Sequence, residues 1–195
     1  MNFEDNLRTG RLGESAIARW LRRRGWHVLP AYEKEIDDGK GPRLFMAEGA
    51  GADELITPDL LAMRTGAFLW FEAKHKSVFT WYGLGNCWNT GVDKRHFDDY
   101  VEVQRRTAIP VWLLFLHRES TPWFRDRERW PNCPDECPVG LFGERIDKLA
   151  ESARFDQRWG KTGMVYWQPY KHLRYLAPLT EVAPQMQDVA TALFF

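Results

Sequence analysis

Two acids and a lysine near the middle of the chain have types and a spacing that suit metal-assisted chemistry. Pro58 and Asp59 are followed, after twelve intervening residues, by Glu72, Ala73 and Lys74. The carboxylates of Asp59 and Glu72 and the carbonyl oxygen of Ala73 are ligands that Mg²⁺ or Mn²⁺ prefers. The ammonium of Lys74 would orient or polarise an attacking water, or stabilise charge developing on phosphorus. The pattern is typical of a metal-dependent phosphodiesterase.

An ordinary surface ion pair between Glu72 and Lys74 is the alternative interpretation. The motif Glu-x-Lys arises often by chance, and exposed pairs of this kind contribute little to stability. These residues alone leave both interpretations open.

The elements that must position these side chains are predicted as a β-hairpin. Residues 56–63 and 67–74 are predicted strands, joined by a turn at Arg64, Thr65 and Gly66. Alternation along the second strand places Glu72 and Lys74 on one face. Asp59 would lie on the partner strand, so all three side chains would meet at one edge of the sheet.

A predicted helix over residues 13–24, ending at Gly25, carries an acid on its apolar stripe. At 100° per residue, Glu14 falls between Ile17, Ala18 and Leu21. An acid aimed into a core is costly unless it is paired or binds a cation. The alternative is a first-turn glutamate that only stabilises the helix dipole.

A second predicted helix, residues 93–107, places a glutamine on its buried face. Gln104 shares this face with Phe97, Tyr100 and Val101. A site role and a core glutamine bonded to backbone groups are equally compatible with this position.

The rest of the chain predicts one domain, residues 1–195, of α/β or α+β class. No internal repeat interrupts it. The aromatic and glycine-rich residues 78–91 show no clear periodicity, and residues 118–138 are predicted to be irregular. The other predictions are strands at 26–29, 110–116, 139–142 and 163–167, a loop at 33–53 with a short strand at 43–46, a helix at 145–153 and a helical segment after Tyr170.

Composition narrows the function classes. The 195 residues are 44% hydrophobic, include ten tryptophans and carry no formal net charge, which favours a folded enzyme over a protein that wraps DNA non-specifically. A local basic groove is still compatible with that balance. Three cysteines and the lack of a signal-peptide pattern favour the cytoplasm. The longest apolar run, residues 109–116, is too short to span a bilayer, so no membrane partner is expected.

Taken together, these motifs resemble the PD-(D/E)XK nuclease superfamily, in the branch of archaeal Holliday-junction resolvases and restriction-endonuclease-like proteins. The resemblance covers residues 10 to about 118, leaving 119–195 as a C-terminal elaboration. It implies a restriction-endonuclease-like αβββαβ core, a mixed central sheet flanked by helices. The long segment between Gly39 and Asp53 departs from the pattern, and Asp53 or Glu54 could take a secondary role there. The residues that carry the resemblance are Gly10, Gly13, Glu14, Pro58, Asp59, Glu72, Ala73, Lys74 and Gln104.

The resemblance also implies roles. Asp59 and Glu72, with the Ala73 carbonyl, would hold Mg²⁺ or Mn²⁺, and Lys74 would be the catalytic lysine. Glu14 would contact the metal directly or through water, and Gln104 would lie beside the site. The implied activity is a Mg²⁺-dependent deoxyribonuclease, favoured as an endonuclease, in which a metal-activated water attacks phosphorus. The alternative is a catalytically silent module of this fold that binds nucleic acid or protein.

Basic residues near these motifs predict contacts to nucleic-acid phosphates. Lys76 follows the motif strand, and Lys94 and Arg95 begin the second predicted helix. The expected partner is DNA. RNA and a homodimer are both left open.

Cys133 and Cys137, in Cys-Pro-Asp-Glu-Cys, raise the question of zinc. A structural zinc site needs about four ligands, and only Cys87 and a few histidines such as His117 could complete one. Free thiols in a loop are therefore expected instead of zinc.

Overall fold

Twelve strands and five α-helices make up the part of the chain that the structure, a computed structural model, describes: residues 3–30, 43–45, 54–157 and 162–186. Two 3₁₀ turns, Gly83–Gly85 and Pro184–Met186, join them. The helices are α1 (Phe3–Arg23), α2 (Lys94–Thr107), α3 (Phe124–Arg129), α4 (Ile146–Ser152) and α5 (Leu179–Val182).

The strands form a six-stranded, a four-stranded and a two-stranded sheet in the described ranges. They are β1 (His27–Pro30), β2 (Arg43–Phe45), β3 (Glu54–Ile56), β4 (Leu60–Arg64), β5 (Ala67–Lys76), β6 (Thr80–Tyr82), β7 (Cys87–Asp93), β8 (Val111–His117), β9 (Gly140–Arg145), β10 (Arg154–Asp156), β11 (Met164–Trp167) and β12 (Arg174–Ala177).

The central sheet has the strand order β1-β4-β5-β8-β9-β12. Only the β5–β8 pair is parallel, and the other four pairs are antiparallel, so the sheet is mixed. The parallel pair follows from chain geometry, because the crossover between β5 and β8 includes a whole helix, α2. In chain order, α1, β1, β4, β5, α2 and β8 give the αβββαβ core, and the predicted fold class is confirmed.

Helices α1 and α2 cover opposite faces of β5. On one face, Phe71 and Ala73 pack in a cluster with Ala16 and Ile17 of α1. On the other face, Tyr100 of α2 belongs to a separate cluster that includes residues of β8. Because successive strand residues point to opposite faces, Glu72 and Lys74 face the side that carries α2.

A second sheet has the order β10-β11-β7-β6, and two of its strands, β6 and β7, come from the region that the sequence left without periodicity. Strands β6 and β7 form a hairpin in which Trp81 is opposite Trp88. Residues 118–138, predicted to be irregular, contain α3. The pairing of β7 with β11, more than seventy residues apart in sequence, stabilises this sheet and could not be inferred from local pattern.

The helical segment predicted after Tyr170 exists, but it begins only at Leu179 and is short. Strand β12 comes first and pairs with β9, with Tyr175 opposite Phe142, and only the four-residue α5 follows. Pairing with β9 completes the edge of the central sheet and overrides local helix preference.

The two predicted helices exist, although α1 begins at Phe3, ten residues before the predicted start. It ends before Gly25, whose φ of +81° is a left-handed conformation that glycine adopts without strain. Helix α2 begins after Asp93, whose side chain accepts a hydrogen bond from the Arg95 backbone N–H at 3.0 Å.

The predicted loop at 33–53 lies outside the described residues except for Arg43–Phe45, which is a strand as expected. Asp53 also lies outside them. Among the described helices, none combines the length and the apolar character needed to cross a membrane. The single-domain interpretation stays a prediction.

Candidate active site

Asp59 lies in a bend immediately before β4, so its predicted place on the strand itself is wrong. Proline has no N–H to donate, so the ladder with β5 begins only after Pro58 and Asp59, with Leu60 opposite Phe71. The bend turns the Asp59 side chain toward β5. There Asp59 Oδ2 accepts a hydrogen bond from the Ala73 backbone N–H at 3.1 Å.

Glu72 and Lys74 lie on one face of β5, as alternation requires, and form a direct ion pair between Lys74 Nζ and Glu72 Oε1. The Glu72 side chain is 1% exposed and that of Lys74 is 29% exposed. Asp59 is also buried. The structure therefore brings the two acids and the lysine together at one place, where the lysine gives the cluster its contact with solvent.

Burial and the neighbouring acid both act on the pKa of Glu72. Burial, and next the charge of Asp59, raise that pKa from 4.5 to about 7, although Lys74 and the Tyr100 hydroxyl act in the opposite direction. The ammonium of Lys74 thus compensates the buried acids incompletely.

The pKa of Lys74 is raised above its ordinary value. Burial lowers this pKa, but the charges of Glu72 and Asp59 outweigh it, and Glu14 adds a smaller increase. Lys74 is therefore an ammonium at neutral pH, with N–H groups to donate and no lone pair to accept a proton.

Glu14 reaches this cluster electrostatically because α1 packs closely on β5. A Cβ added to Gly13 would lie 2.8 Å from Cγ of His75, so only glycine allows this approach. Glu14, the next residue, is partly buried. Its charge acts weakly on Lys74, and its role at the site stays a prediction.

Gln104 contacts a backbone group, as the alternative interpretation of this residue predicted. Its Oε1 accepts a hydrogen bond from the Val111 N–H at 2.8 Å, where β8 begins. The residue of α2 that reaches the acids is Tyr100, one turn earlier, whose hydroxyl donates to Glu72. Sequence reasoning missed this role, although a hydroxyl on the buried stripe beside Phe97 was a visible signal.

The three predicted phosphate-binding residues divide into two groups. Lys76 lies on the same face of β5 as Lys74, and its pKa is lowered to about 8 by burial and by the charge of Lys74. Lys94 pairs with Asp98 at 2.5 Å, while Arg95 is exposed. The charge of Lys74 also lowers the pKa of His96, after burial, so the start of α2 lies within electrostatic range of the cluster.

A cavity of about 210 Å³ opens where β5 ends, between the central and the second sheet. Its polar lining comes from Lys76, Thr80, Asn89, Thr90, Arg125 and Tyr166. Sequence reasoning did not anticipate this cavity, because its walls come from four separate parts of the chain.

The cysteine thiols contact backbone oxygens. Cys133 Sγ donates to the Pro134 carbonyl at 3.6 Å, and Cys137 Sγ donates to that of Glu119 at 3.1 Å. Burial raises the pKa of both thiols, which favours the protonated form over the thiolate that zinc requires. The absence of zinc stays a prediction.

Comparison with known proteins gave structural neighbours alone. No protein-family model matches the chain, and no curated protein matches it. Among solved structures, it is similar to Hjc, a Holliday junction resolvase from Archaeoglobus fulgidus, with a TM-score of 0.43 and 8% identity over 80% of this chain and 86% of that chain. It is also similar to a nuclease from a fusselovirus, with a TM-score of 0.35 and 12% identity over 94% of this chain and 89% of that chain.

Proposed function

We propose that this protein is a metal-dependent nuclease that hydrolyses phosphodiester bonds in DNA as an endonuclease. The observation that carries the proposal is the convergence of buried Asp59 and Glu72 on a protonated Lys74 at the end of the hairpin remote from its turn, where β4 begins beside β5. Two acids beside one ammonium leave net negative charge in a buried place, and that charge needs a cation.

The donor set suits a hard divalent cation. Asp59, Glu72 and the Ala73 carbonyl would hold Mg²⁺ or Mn²⁺ through oxygen atoms, with Glu14 contributing directly or through water. The raised pKa of Glu72 is compatible with this assignment, because burial and, after it, the charge of Asp59 both disfavour the carboxylate, and a bound cation would offset both effects. A bound ion of this kind polarises a phosphoryl oxygen and lowers the pKa of its water.

The side chains of the chain itself have separable tasks. Lys74 stays protonated, so it would donate to a phosphate oxygen and stabilise the charge that develops there, and it would not act as a general base. The Tyr100 hydroxyl holds the Glu72 carboxylate in position by a hydrogen bond. The partly exposed Lys74 marks the side from which the substrate would approach.

A catalytically silent module that binds nucleic acid is the second candidate, and two observations favour it. Glu72 is engaged directly by Lys74, so a structural ion pair would also account for this arrangement. In addition, the described ranges contain no group of three or more His, Cys, Asp or Glu side chains placed to hold a metal ion. Activity measurements separate the two candidates.

Cleavage is tested on supercoiled plasmid, linear duplex, branched DNA and single-stranded RNA, each with Mg²⁺ and with a chelator. We expect Mg²⁺-dependent nicking of DNA by the wild type, with loss of activity in Asp59→Asn. Lys148→Ala is the matched control, because this exposed lysine lies on α4 and pairs only with Glu151 among the described contacts. Lack of metal-dependent cleavage on every substrate would contradict the proposal and favour the silent module.

Metal binding is tested separately by thermal denaturation. Mg²⁺ or Mn²⁺ should raise the Tm of the wild type, since a ligand that binds only the native state stabilises it. The same titration should leave the Tm of Asp59→Asn unchanged. An equal rise in both proteins would place the metal elsewhere.

A further inference from the structure

The cavity beyond Lys76 continues the same face of β5 that carries the candidate active site. Glu72, Lys74 and Lys76 alternate with residues of the opposite face, so consecutive members of this row are separated by about 6.6 Å along the strand. Lys76 lines the cavity and lies close enough to Lys74 for their charges to interact. A ligand that extends from the acids along this row reaches the cavity next.

The lining of the cavity is basic and rich in donors. Lys76 and Arg125 contribute two cations, and Thr80, Asn89 and Tyr166 contribute groups that can donate hydrogen bonds. The lining contains no acidic residue. Its other members are Val78, Thr90, Gly91 and Met164.

The size of the cavity favours a small anion. Its 210 Å³ corresponds to roughly seven waters at about 30 Å³ each, which is room for a phosphate group with part of its hydration. Pockets for drug-sized ligands begin at about 300 Å³. A whole nucleotide cofactor therefore fits this cavity less well than a single phosphate.

Arg125 is held at the mouth of the cavity by its neighbours. Asp126 is buried, and its Oδ2 accepts a hydrogen bond from the Trp81 backbone N–H at 3.0 Å, which ties α3 to β6. The guanidinium of Arg125 also lies 5.5 Å from the ring centroid of Trp123. The buried hydrogen bond of Asp126 thus fixes the position of the backbone that carries the exposed Arg125.

We propose that this cavity binds a phosphodiester group adjacent to the scissile one on the same nucleic-acid strand, with Lys76 and Arg125 as its cationic ligands. The inference rests on the proposed function, because it takes the acids and Lys74 as the place of cleavage. The cavity would fix the register of the strand, since phosphate contacts position a nucleic acid without reading its sequence.

The test measures DNA affinity by fluorescence anisotropy in a Lys74→Ala background, which prevents cleavage during the measurement. Lys76→Gln and Arg125→Gln should each raise the Kd by about threefold to tenfold at low salt. Each should also reduce the slope of log K against log salt by about 0.9 for duplex or about 0.7 for single strands. Lys76→Arg, which keeps the charge, should retain most of the affinity.

Arg129→Gln is the matched control for loss of charge. Arg129 is exposed on the same short helix and stacks on Trp130, but it does not line the cavity. Its substitution should leave the Kd and the salt slope within error of the parent. Equal losses of DNA affinity in Arg129→Gln and Arg125→Gln would mean that general surface charge causes the effect, and would overturn the inference.

A titration with inorganic phosphate distinguishes a site for a phosphate of a nucleic-acid strand from a site for a free anion. Because the cavity suits a phosphate group, we expect millimolar phosphate to raise the Tm of the wild type more than that of Lys76→Gln, together with the loss of DNA affinity in both cavity variants. A rise in Tm that depends on Lys76 and Arg125, combined with unchanged DNA affinity in both variants, would assign the cavity to a free anion and overturn the proposal.

The outcomes separate this inference from the proposed function. Metal-dependent cleavage by the wild type together with wild-type affinity in both cavity variants would refute the inference and leave the nuclease proposal standing. Weakened DNA binding in both variants without any cleavage by the wild type would refute the nuclease proposal and support the cavity as a phosphate site.

Discussion

The candidate active site and the neighbouring cavity differ in charge although one strand face contributes to both. At the first, Asp59 and Glu72 outnumber Lys74, and the pKa of Glu72 is raised to about 7. At the second, Lys76 and Arg125 occur with no acid in the lining. The change from acidic to basic takes place within four residues of β5.

This difference indicates two kinds of ligand. A buried excess of carboxylates favours a cation, while a basic cavity of phosphate size favours an anion. A nucleic-acid strand that crosses both would have one phosphate at a metal and the next at Lys76. Exchanging or removing charges at the two places therefore tests whether they work as a pair.

The largest expected effect is on catalysis at the candidate active site. Lys74→Ala should lower kcat by about 10²-fold to 10³-fold, because a charge-stabilising donor is lost. Lys76→Gln should instead raise KM with a much smaller change in kcat. Steady-state cleavage of a labelled oligonucleotide at fixed Mg²⁺ measures both. A kcat that survives in Lys74→Ala would contradict the mechanism.

The second effect concerns stability against pH without metal. Glu72 has a pKa of about 7 in the folded protein and 4.5 when unperturbed, so the folded state binds more protons between these values. Its contribution to stability is present below pH 4.5 and is lost as the pH rises through 7, by an amount on the order of 3 kcal/mol.

Urea unfolding in a chelator at pH 5, 6 and 7 measures this contribution as the difference between wild type and Glu72→Gln. The wild type should lose free energy of unfolding relative to the variant as the pH rises. A difference that stays constant would mean that Lys74 fully compensates the acids. The contrast with the basic cavity would then disappear.

A third prediction tests the buried contact of Asp126 that holds α3, and with it Arg125, at the basic cavity. Asp126→Ala leaves the buried Trp81 N–H without its acceptor, which should reduce the free energy of unfolding by about 1–3 kcal/mol. Asp126→Asn keeps a side-chain oxygen and should lose less. Both are measured by urea denaturation. Asp126 Oδ1 also lies 4.0 Å from Arg125 Nε, and both variants remove this negative charge, so a loss of DNA affinity confined to the alanine variant would report a displaced Arg125.

The smallest expected effect distinguishes structure from catalysis at α2. Gln104→Ala should reduce the free energy of unfolding by about 1 kcal/mol, since the Val111 N–H loses its acceptor, and should leave kcat unchanged. Gln104→Glu keeps an oxygen at this place and serves as the control. A tenfold fall in kcat at unchanged stability would restore the role that the family resemblance implied.

The hairpin that holds the candidate site was readable from the sequence for local reasons. Apolar runs on both sides of Gly66, whose φ of +76° suits a tight turn, define β4 and β5 and their register. The sequence did not predict that Asp59 lies just outside β4. The pairing of β4 with β5 begins only at Leu60, after the bend at Asp59, and the local pattern does not show where this pairing begins.

Elements that depend on distant partners were not readable. Strand β12 needs β9, and β7 needs β11, so local patterns could not reveal either pairing. Helical periodicity placed Tyr100 and Gln104 on one buried face, but it could not determine which of them lies opposite Glu72. The cavity combines Arg125 with residues of four strands, and no spacing in sequence encodes that proximity.

Gly13 has a consequence that extends beyond packing. Because it has no side chain, α1 lies directly against His75, and the charge of Glu14 acts on Lys74 from the opposite side of the sheet edge. A larger residue at this position would push the helix outward and weaken that influence. The pKa of Lys74 is thus set in part by a residue that contributes no functional group. A substitution at position 13 would change this pKa while every charged side chain of the site stays in the sequence.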